Sequence, residues 1–130
     1  MTLKRTLIHA LVSALLAIAA SVIYNIIYST AFELNFNSVL NTGSIIGATL
    51  FGCVIIGLTY YFGFKWKGEK SIGWINILVS VLSFASIISI LGMQLPVTIE
   101  SPEMFPGLAI PMHFFPALSF FTIAPFFKSN

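Results

Sequence analysis

The chain contains no aspartate, one cysteine and a single arginine, Arg5. Only 8% of its 130 residues are charged, where a soluble domain carries about a quarter. Each shortage excludes a class of chemistry. Without aspartate there is no Ser-His-Asp constellation. The four acids Glu33, Glu69, Glu100 and Glu103 all lie between apolar runs. The buried proton-coupling carboxylate of a four-helix multidrug exporter is therefore missing. Cys53 alone makes no intrachain disulfide and no Cys-x-x-Cys pair, which excludes redox chemistry of the vitamin-K-epoxide-reductase kind. The chain has neither a glycine-rich phosphate loop nor a metal-binding His-x-x-x-His spacing. The glycine- and arginine-bearing signature of small fluoride channels is absent from its second half.

What remains is oil. Hydrophobic residues make up 58% of the chain, and the mean hydropathy is +0.99. Four apolar runs stand out, at residues 6–28, 39–64, 72–91 and 108–127. Each has about the 20 residues that a ~30 Å hydrocarbon layer requires of a helix. None shows the period-two alternation of a barrel strand, and in lipid the backbone must satisfy its own hydrogen bonds. The expected class is an all-α membrane protein, an antiparallel four-helix transmembrane bundle forming one domain over 1–130. The first run also reads as a signal peptide, with Lys4-Arg5 ahead of it and Ala17-Ile18-Ala19 inside it. The apolar stretch continues to Tyr28, however, so it is expected to remain as the first crossing.

All six basic residues fall on one side of this pattern. Lys4 and Arg5 precede run one, Lys65, Lys67 and Lys70 lie between runs two and three, and Lys128 follows run four. The other two connections carry Glu33, Glu100 and Glu103. Lysine and arginine collect on cytoplasmic flanks, so both termini are expected in the cytoplasm. Trp66, Trp74, Tyr60 and Tyr61 mark one membrane surface, and Tyr24 and Tyr28 mark the other. The net charge of +2 follows from this layout and indicates no nucleic-acid partner. The partner it implies is the lipid bilayer.

The outer connections are apolar for loops. Ser29 to Ser38 alternates Phe32, Leu34 and Phe36 with polar residues. Residues 92–107 combine Pro96, Pro102 and Pro106 with Val97, Ile99, Met104 and Phe105, and are expected to form a partly buried outer cap. The two halves show no internal repeat, so an inverted-repeat transporter is not indicated.

Four features invite a functional reading. Run two carries Gly43-x-x-x-Gly47 and Ala48-x-x-x-Gly52, with Thr49, Cys53 and Gly57 as a second small ridge. Such ridges let helices approach closely, either inside the bundle or across a homodimer seam. Run three carries Ser80, Ser83, Ser86 and Ser89 at three-residue steps, with Asn76 one turn earlier. These hydroxyls can bond their own helix, or line a wet groove. Run four carries Pro111, Pro116 and Pro125 among three phenylalanine pairs. Pro116 removes the donor for the Met112 carbonyl, which His113 or a serine of run three is positioned to replace. Finally, Asn25, Gln94, Glu100, Glu103 and His113 share the outer depth. An imidazole and carboxylates there could bind a ligand or move a proton. His9 lies near the inner headgroups and is given no role.

The layout resembles a group of small four-helix bacterial inner-membrane proteins to which no activity is attached. The shared features are Asn25 late in helix one, a glycine-rich helix two, a short basic inner loop and His113 at the head of helix four. The resemblance implies an inner-membrane location and a stand-alone chain, but no reaction and no cofactor. The sequence favours a non-enzymatic membrane protein with a structural or accessory role. The alternative is a small transporter or ligand binder with an outward-facing polar pocket at Asn25, Glu100, Glu103 and His113.

Overall fold

The computed structural model describes residues 2–128. Within them the chain forms four α-helices and one 3₁₀ turn, with no strand. The helices are α1 (Leu3–Phe32), α2 (Thr42–Lys67), α3 (Lys70–Leu91) and α4 (Phe105–Phe127), with the 3₁₀ turn Pro102–Met104 leading into α4. All four are long and apolar enough to cross a membrane.

The helices outrun the apolar runs at several ends, and local chemistry explains where they stop. Thr2 caps α1 by accepting a hydrogen bond from the Arg5 amide, so the helix begins within the basic flank. It ends at Glu33, whose φ of 53° turns the chain out of helical geometry. Asn41 caps α2 through a 2.8 Å bond from the Ser44 amide, which moves its start inward from Val39 to Thr42. Lys65 and Lys67 occupy the last turn of α2, where cations complement the helix dipole. Only Gly68 and Glu69 separate α2 from α3. Gly68 sits at φ 63°, a backbone that side-chain-bearing residues rarely adopt. Phe105 and Pro106 already belong to α4, because proline is well tolerated in a first helical turn.

Neighbouring helices run antiparallel. Ala10 and Thr6 of α1 face Gly57 of α2, and Gly63 of α2 faces Ser71 and Ile75 of α3. Phe84 of α3 meets Phe114 of α4, and Tyr24 of α1 meets Gly107 of α4. α2 and α4 also touch, whereas α1 and α3 do not. Thus, among the helices, only α2 and α4 pack on α3.

Three buried clusters fill the bundle. Ala14, Ala17 and Cys53 form a close α1–α2 contact at mid-depth. Toward the end bearing the termini, Ala10, Ile56, Tyr60, Ile75, Val79, Ala117 and Phe120 pack together. At the opposite end Phe36, Ile90, Phe105, Leu108 and Ala109 form the third cluster, joined by Leu34, Leu95, Ile99 and Met104 from the connections. Phe36 plugs this end, with its ring 5.4 Å from that of Phe105. The long connection is only partly a cap, since Met93 and Val97 are exposed.

The exterior is apolar. Leu15, Ile27, Phe51, Phe84 and Ile88 all present most of their surface outward. The antiparallel path gathers all six basic residues at the end of the bundle holding both termini. Glu33, Glu100 and Glu103 lie at the other. An apolar waist between two polar ends is the surface of a membrane protein.

Candidate functional site

The proline pattern of α4 shapes the site. Pro111 has no amide hydrogen, so it leaves the Gly107 carbonyl without its helical donor. Tyr24 replaces that donor: its hydroxyl donates to Gly107 O at 2.7 Å. One turn along α1, the Tyr28 hydroxyl donates to Met104 O at 2.6 Å. A Cβ at position 107 would lie 2.6 Å from the Tyr28 oxygen, so only glycine allows this approach. The two tyrosines thus fasten α1 to the head of α4 and leave the other side of α4 to face α2 and α3.

On that other side lies a cavity of about 550 Å³. Ala48, Thr49 and Gly52 of α2 form one wall, Val79, Ser83 and Ser86 of α3 the second, and Met112, His113 and Pro116 of α4 the third. Small residues on α2 leave the space open. Phe51 and Leu82 line it while standing more than half exposed, so the cavity opens sideways between α2 and α3. A second hollow of about 680 Å³ continues along the same seam toward Trp66 and shares Ile55 and Thr59 with the first. The first cavity's lining includes no lysine, arginine, aspartate or glutamate. Its polar groups are three of the expected serine and threonine hydroxyls, Thr59 and one imidazole.

That imidazole is held in place. His113 Nδ1 lies 2.9 Å from Ser86 Oγ. The Ser86 hydroxyl donates to Ser83 O at 2.7 Å, and Ser89 donates to Ser86 O at 2.8 Å. Two of the four serines, Ser86 and Ser89, therefore bond their own helix, and Ser86 also bonds across to α4. Pro116 removes the donor for Met112 O as expected, but His113 bonds Ser86 rather than that carbonyl.

The expected outer group does not assemble around one cavity. His113 lines the cavity; Asn25, Glu100 and Glu103 do not. Asn25 is half-buried on α1, and Glu100, Glu103 and Gln94 are exposed at the helix ends. Equal depth did not mean a shared face. α1 does not touch α3, and α2 supplies the wall expected from α1. No group of three His, Cys, Asp or Glu side chains able to hold a metal occurs among the described residues.

The small-residue ridges of α2 divide. Thr49, Cys53 and Gly57 are buried, and a Cβ on Gly57 would come within 2.9 Å of Ala10 Cβ. Gly52 faces Pro116, and Ala48 lines the cavity. Gly43 and Gly47 face outward, with no other helix near them. His9, given no role by the sequence, is buried. Its Nε2–H donates to Phe120 O at 2.9 Å, and its ring stacks on Phe120 and Phe127 at 3.8 and 4.7 Å. Arg5 closes the same end by donating to Lys128 O at 2.8 Å.

No family model, curated protein or solved structure matches the chain. The function must be read from the cavity.

Proposed function

We propose that this is a four-crossing protein of the bacterial inner membrane, with both termini cytoplasmic, that binds a lipid-like molecule entering its cavity sideways from the bilayer. The carrying observation is the cavity itself: about 550 Å³, uncharged, and opening between α2 and α3 onto an apolar exterior. Its size lies within the range of small-molecule pockets, and a mostly apolar lining with a few placed polar groups suits an amphiphile. The six basic residues gathered at one end support this orientation. Binding rather than catalysis fits a site whose one imidazole has no carboxylate lining the cavity with it and whose neighbouring hydroxyl, Ser86, gives its hydrogen to Ser83 O rather than to the ring. A structural or accessory role is compatible with a resident lipid.

The protein reconstituted in nanodiscs and released for native mass spectrometry should retain a bound small molecule. Ala48→Phe and Gly52→Phe, which fill the α2 wall, should lose it while keeping the helical circular-dichroism signal. Equal retention by both filled variants would reject the reading. Sidedness is checked separately: Lys128→Cys should react with a membrane-impermeant thiol reagent from the cytoplasmic side, and Glu100→Cys from the periplasmic side.

A second reading rests on Gly43 and Gly47. Their outward ridge suits a homodimer seam, because among the described residues only the Asn41 side chain reaches Gly43 and nothing lies within 4 Å of a Cβ at Gly47. Cys53 cannot report it, being sealed against Ala14 and Ala17. Gly47→Cys should crosslink between copies if the seam forms, and remain monomeric if it does not.

A further inference from the structure

We propose that the cavity takes an uncharged lipid whose polar end is a hydroxyl, with that hydroxyl donating to His113 Nε2. The inference rests on the lateral-cavity reading above and adds the chemistry of the ligand's head.

The argument follows one proton. Ser86 Oγ carries a single hydrogen and lies 2.7 Å from Ser83 O, a carbonyl that can only accept. That hydrogen is therefore committed to the carbonyl. Toward His113 the serine oxygen offers a lone pair, so the 2.9 Å contact requires the hydrogen to sit on Nδ1. A neutral imidazole protonated on Nδ1 has a bare lone pair on Nε2. No protein donor reaches that nitrogen among the described residues, and it is not one of their sealed, unpartnered atoms. The ring lines the cavity, so Nε2 is an acceptor awaiting a donor.

The surroundings select which donor. Pro116 leaves the Met112 carbonyl, on the same wall, with no helical donor, which adds a second acceptor rather than a donor. With no cation in the lining, a phosphate or carboxylate head would exchange its hydration for no more than neutral hydroxyls such as those of Thr49 and Ser83, which leaves a buried charge unpaired. An ammonium head would meet no carboxylate. A methyl-capped or ester-only head would supply no hydrogen. An alcohol meets the acceptor and leaves no charge buried, while its chain lies along the seam between α2 and α3.

Three photoactivatable probes of equal chain length separate the outcomes in nanodiscs: a long-chain primary alcohol, its methyl ether and the corresponding carboxylic acid. The alcohol should label the cavity with about tenfold higher affinity than the ether, the scale of one hydrogen bond in a dry site. His113→Leu should reduce alcohol labelling to the level of the ether while leaving ether labelling unchanged, which also shows that the variant is folded. Ser86→Ala frees the tautomer and should lower the preference for alcohol over ether several-fold. Equal labelling by alcohol and ether, or stronger labelling by the acid, overturns the proposal while leaving the lateral cavity standing. Absence of labelling by all three rejects the cavity reading, and this proposal with it.

Discussion

The Tyr24 hydroxyl donates to the Gly107 carbonyl at 2.7 Å, the carbonyl that Pro111 deprives of its helical partner. A side chain on one helix thus repairs the backbone of another. The bond lies at the protein's surface, so Tyr24→Phe should cost about 0.5–1.5 kcal/mol, the net worth of one hydrogen bond. Pro111→Ala should restore the internal donor. In the double variant the Tyr24→Phe penalty should shrink, and a double-mutant cycle in mild detergent would read that coupling.

The Ser86–His113 pair makes a spectroscopic prediction independent of any ligand. Nitrogen NMR of histidine-labelled protein should show His113 protonated on Nδ1. Ser86→Ala removes the acceptor, and the resonances should move toward the Nε2-protonated form. An Nε2–H signal from His113, assigned apart from the one that His9 gives through its bond to Phe120 O, would contradict the bond.

Gly57 and Gly47 should respond oppositely to the same change. At Gly57 a new methyl meets Ala10 at 2.9 Å, so Gly57→Ala should push α1 and α2 apart and cost about 1–3 kcal/mol. At Gly47 nothing lies within 4 Å, so Gly47→Ala should be neutral or stabilising by up to about 1 kcal/mol through helix propensity. Thermal unfolding in detergent would separate the two.

Ser21 Oγ is buried without a hydrogen-bond partner. Removing an unsatisfied hydroxyl releases its desolvation cost. Ser21→Ala should therefore stabilise the bundle by roughly 1 kcal/mol, measurable in the same unfolding assay.

Gly68 is the first of two residues joining α2 to α3, and its positive φ penalises a branched side chain. Gly68→Val should lower stability by about 1–2 kcal/mol, whereas Glu69→Ala, one position on, should change little.

The helices were legible because bilayer thickness dictates length and the backbone allows little else. Their ends were less so. Asn41 and Thr2 act through caps that hydropathy does not register. His113 was legible as an ionisable group at membrane depth, but its partner was not. Depth places Asn25 and His113 at one level, yet rotation about each helix axis decides what they face. That rotation is set by contacts such as Tyr28 on Gly107 and Gly57 on Ala10, which depend on register between distant segments. The sequence leaves Ser86 open between packing and a wet groove and gives Gly52 to helix packing; both line one cavity because α3 and α2 lie on the same side of α4. The surroundings of His9 were hidden for the same reason. Its depth suggested headgroups, while its direction points it between Phe120 and Phe127.

The fastening of α3 is lopsided. A two-residue joint anchors one end to α2, ten residues of looser chain lead from the other end to the turn before α4, and α1 gives it no support. The far tip is nevertheless moored, because Ile90 is sealed into the cluster around Phe36 and Phe105. What stays unbacked is the middle of the rod, so a guest arriving from the bilayer would find the seam most pliant beside Ser83.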